Sequence, residues 1–145
     1  MKLSMKGDYG IRALVDLAEH LGEGPVQSRE IAERQDIPEP YLDQLLTTLR
    51  KAGFIHSRRG PQGGHLLARQ PGEISVAEVV DALEGTVAAV GCLDGTVACR
   101  HDGMCGQQEL WRTLTEMTRG VLRASNVAGI LERQQALRQR AMYYI

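Results

Sequence analysis

Aromatic side chains are scarce in this 145-residue chain, with one Trp, one Phe and four Tyr. Leu, Val, Ile and Ala must therefore fill the core, and a 43% apolar composition allows it. No apolar run approaches the roughly 18–20 residues that span a bilayer, so no membrane partner is expected. The opening MKLSMKGDYG lacks an apolar h-region and a small-residue cleavage site. No secretory signal is expected from it, and a reducing, cytoplasmic location is the default. Nucleotide-binding glycine fingerprints are missing, as is any Ser/His/Asp set at recognisable spacing, which speaks against an enzyme. Cysteine is limited to Cys92, Cys99 and Cys105, separated by six and then five residues. The close cysteine pair of structural zinc sites is absent.

Acidic residues are missing from one long stretch. Between Gln44 and Gly72 there is no Asp or Glu, while Arg50, Lys51, Arg58, Arg59 and Arg69 contribute five positive charges. With a net charge of −1, the rest of the chain sums to −6. A basic segment on an acidic body is the footprint of a chain that meets a polyanion through one face. A solvated basic turn is the plainer reading of charge alone.

What is present reads mostly as helix. Ser4 is a good N-cap for a first helix to about His20, with Ile11, Leu14, Val15, Ala18 and Leu21 on its apolar face. A short helix follows Ser28, read as its N-cap, and ends near Gln35. Pro38 and Pro40 suit the start of the next, from about Pro38 to Ala52, with Leu42, Leu45, Leu46 and Leu49 on one stripe. FIHS, the turn RRGPQGGH and LLAR read as a projecting hairpin. Ser75 and Glu78 form a capping box for a helix to about Leu83. The cysteine loop follows, then a long helix from Gln107 to about Ser125 and a last helical stretch from Asn126 to Met142.

This order predicts a mainly α fold with a small β-hairpin wing: a winged helix-turn-helix plus a long C-terminal dimerisation helix. Three units are expected: a DNA-binding domain over 1–84, a cysteine loop over 85–106 and a helical dimerisation region over 107–145. Gln44 can pair bidentately with adenine, and Thr47 or Thr48 can meet a phosphate or a thymine methyl. Arg50 and Lys51 suit backbone phosphates. Arg58 and Arg59, beside Gly60, can approach a narrow minor groove. Ser28 and Tyr41 complete the expected DNA-facing set. A plain amphipathic helix and an ordinary surface hairpin would account for either segment alone; their conjunction favours DNA.

Four chemistries compete for the cysteines. A disulfide leaves one thiol over. Zinc would take the three with His101 as fourth ligand. A metal-free thiol switch could use Arg100, beside Cys99, to lower a pKa. An iron–sulfur cluster is larger than one ion, and wide spacings on a glycine-rich loop let three thiolates wrap one of its faces. Spacing alone leaves cluster and zinc open.

MKLSMKGDYGIRALVDLA, IAERQDIPEPYLDQLLTTLRKAGFIHSRRGPQGGHLLAR and ISVAEVVDALEG together resemble the BadM/Rrf-type family of bacterial winged-helix regulators. The likeness covers essentially residues 1–106. It implies a homodimer, joined largely through the helix after the cysteine loop, that binds double-stranded, pseudo-palindromic operator DNA. The stripe Leu110, Leu114, Met117 and Val121 independently suits pairing with its own copy, or packing on its own domain. The family's IscR-like and NsrR-like branches carry three cysteines here and bind a 2Fe–2S or 4Fe–4S cluster; its CymR-like branch, a cluster-free thiol-based or partner-dependent repressor type, lacks them. The resemblance thus implies a cluster on Cys92, Cys99 and Cys105. Two departures stand out. Gln108 occupies the position of the IscR-like histidine, and the first gap is six residues where five is commoner. NsrR-like members use an aspartate from the other subunit's first helix, which corresponds to Asp8. His101 is the next candidate, and a favourable charge at a helix start is Asp8's plainer role.

Overall fold

The computed structural model describes residues 2–144. Six helices and one hairpin are arranged around a core of short aliphatic side chains. Helix α1 (Met5–Glu19) begins at Ser4, whose hydroxyl oxygen accepts the Lys6 N–H. It buries Ala13, Leu14, Val15, Leu17 and Ala18. Leu21, expected on the same apolar face, is instead 49% exposed. The helix has ended at Glu19, and Gly22 and Gly24, both at positive φ, turn the chain away from the core.

Helix α2 (Ser28–Gln35) starts one residue earlier than expected, with Gln27 and not Ser28 as its cap. Glu30 reaches back to accept the Gln27 N–H, which fixes the first turn at that residue. Helix α3 (Glu39–Lys51) buries Leu42, Leu45, Leu46 and Leu49 and leaves its opposite face to solvent. Each such leucine contributes roughly 1.5–3 kcal/mol of burial, which holds α3 against α1 and α2.

Strands β1 (Ile55–Arg58) and β2 (Gly64–Leu67) pair antiparallel, with Ile55 opposite Leu67 and Arg58 opposite Gly64. The expected turn RRGPQGGH is therefore shortened to residues 59–63. Arg58 ends a strand, while Arg59 and Gly60 form the tip. Val26 adds an isolated antiparallel bridge to β2, exchanging both backbone hydrogen bonds with His65 at 3.0 and 2.7 Å. Gly64 permits that approach, since a Cβ there would lie 2.5 Å from the Val26 carbonyl oxygen.

After a one-turn 3-10 helix at Pro71–Glu73 comes α4 (Val76–Glu84), whose Ser75–Glu78 capping box forms as expected. Helices α5 (Gln108–Ala124) and α6 (Val127–Tyr143) complete the chain. Between them, Ser125 O accepts the Val76 N–H at 2.9 Å and Ile74 O accepts the Val127 N–H at 3.1 Å. Val127 is wholly buried with α1, α3 and β1 side chains, so α6 closes the same core that holds the helix-turn-helix.

One charged group lies inside. Asp16 is 1% exposed and accepts two hydrogen bonds from Arg34, at 3.0 and 2.8 Å, and one from Gln35 at 3.0 Å. The carboxylate is thus fully paired, and it locks α2 to α1. In return, the Arg34 pKa is raised above its ordinary value, chiefly by that hydrogen-bonded Asp16.

Candidate nucleic-acid interface and cysteine site

Helix α3 and the wing tip offer a continuous polar surface. Asp43, Gln44, Thr47, Arg50 and Lys51 are exposed along α3, as are Arg58, Arg59 and Gly60 on the hairpin. Thr48 is half-buried and Tyr41 packs edge-on against Tyr9, with ring centroids 5.9 Å apart. Both threonine hydroxyls donate back to the helix, Thr47 to Asp43 O and Thr48 to Gln44 O, leaving their lone pairs outward. Thr47 therefore presents an acceptor and a methyl group more readily than a donor. Ser28 sits at the first position of α2, where it lines a concave surface with Gln27, Arg58 and the glycines of the wing.

Arg69, counted above in the basic stretch, does not belong to this face. Its guanidinium donates to Glu78 Oε2 at 2.7 Å and Glu73 O at 2.9 Å, and lies over the Phe54 ring at 5.3 Å. It joins the base of the wing to α4. Asp43 was missed in the other direction. A carboxylate forms no part of a basic footprint, yet exposed Asp43 on the N-terminal half of α3 can accept from a cytosine amino group. Its position one residue before Gln44 was the available signal.

His65, on β2, lies behind this surface and shares a 2.9 Å hydrogen bond with Ser57 Oγ. Burial holds its pKa below the ordinary histidine value; nearby Asp43 works against this and Arg50 with it.

The cysteine loop hangs between α4 and α5, and its first half is anchored. Val87 is buried with Val76 and Val80 of α4. The buried hydroxyl of Thr115, on α5, accepts the Ala89 N–H at 3.0 Å and donates to Trp111 O at 2.8 Å. Beyond this point, Gly91 O accepts from Thr96 N–H, Thr96 Oγ and Val97 N–H, which curls residues 91–97 into a compact turn. Asp94 caps the same turn by accepting the Thr96 N–H, and its carboxyl is held below its ordinary pKa mainly by the Thr96 hydroxyl. Gln108 donates to Asp102 at 3.3 Å, closing the end of the loop.

Cys92, Cys99 and Cys105 are all half-buried free thiols. The Cys92 pKa is pushed up, first by local desolvation and then by the proximity of Cys99 and of Cys105. Cys99 and Cys105 thus both lie near enough to Cys92 to disfavour its thiolate, an effect that a cationic centre would reverse. Among the described residues, no three His, Cys, Asp or Glu side chains converge to hold one metal ion. His101 does not join the cysteines in such a group. Asp8, on the first turn of α1, is paired with Arg12 at 3.0 Å, and both side chains are about half exposed. Arg12 in turn lies over Tyr9, 5.6 Å from its ring centroid.

A helix-turn-helix followed by a basic hairpin, with its reading helix free of tertiary contacts on one side, defines a winged-helix DNA-binding protein. The comparisons with known proteins narrow the class. Residues 3–133 match the Rrf2 model, described as an iron-dependent transcriptional regulator. The chain belongs to the Rrf2 family of transcriptional regulators. It is 41% identical to the HTH-type transcriptional regulator IscR of Xenorhabdus nematophila over 137 residues, 94% of this chain and 83% of that protein. The IscR of Klebsiella pneumoniae is 39% identical over the same shares. Among solved structures, T. potens IscR superposes with a TM-score of 0.76 at 39% identity, covering 92% of this chain and 88% of that one. CymR, the global cysteine regulator of B. subtilis, superposes with a TM-score of 0.80 at 31% identity, covering 92% and 98%. These relatives are regulators and not enzymes. No helix among the described residues is long and apolar enough to cross a membrane.

Proposed function

We propose that this regulator binds pseudo-palindromic operator DNA as a homodimer, and that an iron–sulfur cluster on Cys92, Cys99 and Cys105 controls the binding. The observation that carries the reading is three free, half-buried thiols on one loop in a chain of this family. Their donor chemistry fits an iron–sulfur group, since the thiolates are divided among two or four irons and need not all meet at one ion. A zinc ion would require that convergence. When bound, the cluster supplies a centre whose charge and integrity respond to oxidant, nitric oxide or iron–sulfur supply.

The chain's own residues supply the rest. Asp8 is the favoured fourth ligand, reaching the loop of the other subunit, and to do so it must leave Arg12. An oxygen donor is held weakly by iron and suits a releasable site. Gln108 is occupied with Asp102, which leaves the IscR-like ligand position without a donor. On α5, Leu110, Leu114, Met117 and Val121 are between 41% and 68% exposed, and a second copy of this helix is the partner they suit. At the DNA, Gln44 and Asp43 read base edges, Arg50, Lys51 and Arg58 meet phosphates, and Arg59 with Gly60 enters the minor groove. Ser28, Thr47, Thr48 and Tyr41 orient or support these contacts.

A second reading, a cluster-free thiol switch of the CymR kind, is supported by the nearness of Cys99 to Cys92 and the likeness to CymR. Anaerobic purification of the wild type and of Cys92→Ala, Cys99→Ala and Cys105→Ala separates the two. Visible absorption with iron and acid-labile sulfide in the wild type alone supports the cluster. The same absorption in all four proteins rules it out.

A further inference from the structure

Glu84 is the last residue of α4, and the cysteine loop leaves the fold directly after it. Its Oε1 accepts three hydrogen bonds from the start of α1: Ser4 N–H at 2.9 Å, the Ser4 hydroxyl at 2.6 Å and Gly7 N–H at 2.9 Å. The Gly7 N–H is among the first-turn donors that have no partner within a helix, and the positive end of the helix dipole favours an anion there. One carboxylate from another helix therefore completes the cap that Ser4 begins. The Glu84 carboxyl titrates below its ordinary range; burial opposes this and is outweighed by the hydrogen bonds from Ser4 and Gly7.

The seat is sterically specified. A Cβ on Gly7 would lie 2.9 Å from Glu84 Oε1, and one on Gly10 would lie 2.2 Å from Leu83 Cδ1. A side chain at either position would have to displace the end of the Glu84 or Leu83 side chain, so the two glycines let the end of α4 rest closely on the first turns of α1. Asp8 is the residue after Gly7, on the turn so fixed, and Tyr9 beyond it carries the contact to Tyr41 on the DNA-reading helix.

We propose that Glu84 is a positioning residue: it registers the first turn of α1, with Asp8 on it, to the stem of the cysteine loop. The proposal rests on the reading of Asp8 as a ligand given above. A change in the loop then reaches α1 through one carboxylate, and through α1 it reaches α3.

Two variants test it. Glu84→Gln keeps an acceptor oxygen for all three donors, whereas Glu84→Ala removes it. In cluster-free protein, amide exchange at Gly7 should rise roughly tenfold in Glu84→Ala, as for loss of a helix cap, and stay within about threefold of wild type in Glu84→Gln. Unchanged exchange in Glu84→Ala overturns the clamp. In anaerobically reconstituted protein, Glu84→Ala should keep the visible absorption but lose it to a chelator faster, by a factor close to that of Asp8→Ala. The double variant should be no faster than Asp8→Ala alone, because both act through one group. If the two effects multiply, Glu84 does not act through Asp8 and the proposal falls. If Asp8→Ala itself matches wild type in spectrum and loss rate, the ligand reading fails along with the transmission to it. The exchange measurement still decides the clamp in that case.

Discussion

Removing Arg59 should change how operator affinity depends on salt, by an amount that follows from which cations are free. Of the five in the acid-free stretch, Arg69 is committed to Glu78 and Glu73. Arg50, Lys51, Arg58 and Arg59 remain exposed on the reading face. A symmetric dimer thus presents about eight cations to phosphates, and log K should fall with log salt with a slope of roughly −7 at most. Arg59→Ala removes one cation from each subunit, so the slope should become shallower by about 2. Affinity should drop by at least tenfold at physiological salt, since an arginine in a narrow minor groove also contributes to shape reading. Fluorescence anisotropy on a duplex that the protein selects from a random pool, titrated at several salt concentrations, measures both. An Arg59→Ala slope equal to wild type would refute the assignment of the wing tip to DNA.

Other perturbations test other parts of the account. Met117→Glu places a charge in the middle of the α5 stripe, twice over in a symmetric pair, and should weaken the dimer by at least about a hundredfold in sedimentation velocity. A variant that dimerises like wild type would move the interface elsewhere. Thr115→Val preserves shape but leaves the Ala89 N–H without its acceptor, and should cost about 1–3 kcal/mol in urea unfolding. No change in midpoint would mean that the loop is not anchored there. His65 predicts a stability loss in acid. Its folded pKa is lowered, so the unfolded chain takes up the proton first as pH falls. Stability should be fully present above the ordinary histidine value of about 6.5 and decline as pH falls below it, until the folded form protonates as well. His65→Gln should flatten that part of the profile, and an equally steep profile in the variant would place the titration on another group.

The elements that were legible from the residues alone are those whose signals are local. Leu42, Leu45, Leu46 and Leu49 define the buried face of α3 by their spacing, and Ser75 with Glu78 announces the start of α4 within four residues. Boundaries set by contacts distant in sequence were not legible. The strands pair with Arg58 opposite Gly64, and Val26, from the α1–α2 connection, bridges to His65 beside that pair. Leu21 has the right spacing for the core but lies past the end of its helix. The role of Arg69 was hidden for the same reason, since its partner Glu78 lies on another element.

The cysteine site divides in a similar way. The three thiols could be named because they share one loop, and all three are free and half-buried in the structure. What surrounds them could not. Thr115 on α5 fastens the loop itself and Glu84 at the end of α4 fastens its stem to α1, at separations of 26 and 80 residues from their hydrogen-bond partners Ala89 and Ser4. Nothing in the local pattern marks either residue. Asp8 gave a signal only by its place at the start of a helix, and its pairing with Arg12 is equally consistent with a surface ion pair.

Operator affinity of one anaerobic preparation, measured before and after removal of its iron and sulfide, tests the central claim most directly. The account predicts near-equal iron and acid-labile sulfide before removal. It also predicts an affinity change of roughly 5- to 150-fold afterwards, the range of a coupling between two sites. Absence of iron and sulfide, or the same affinity in both states, would contradict it.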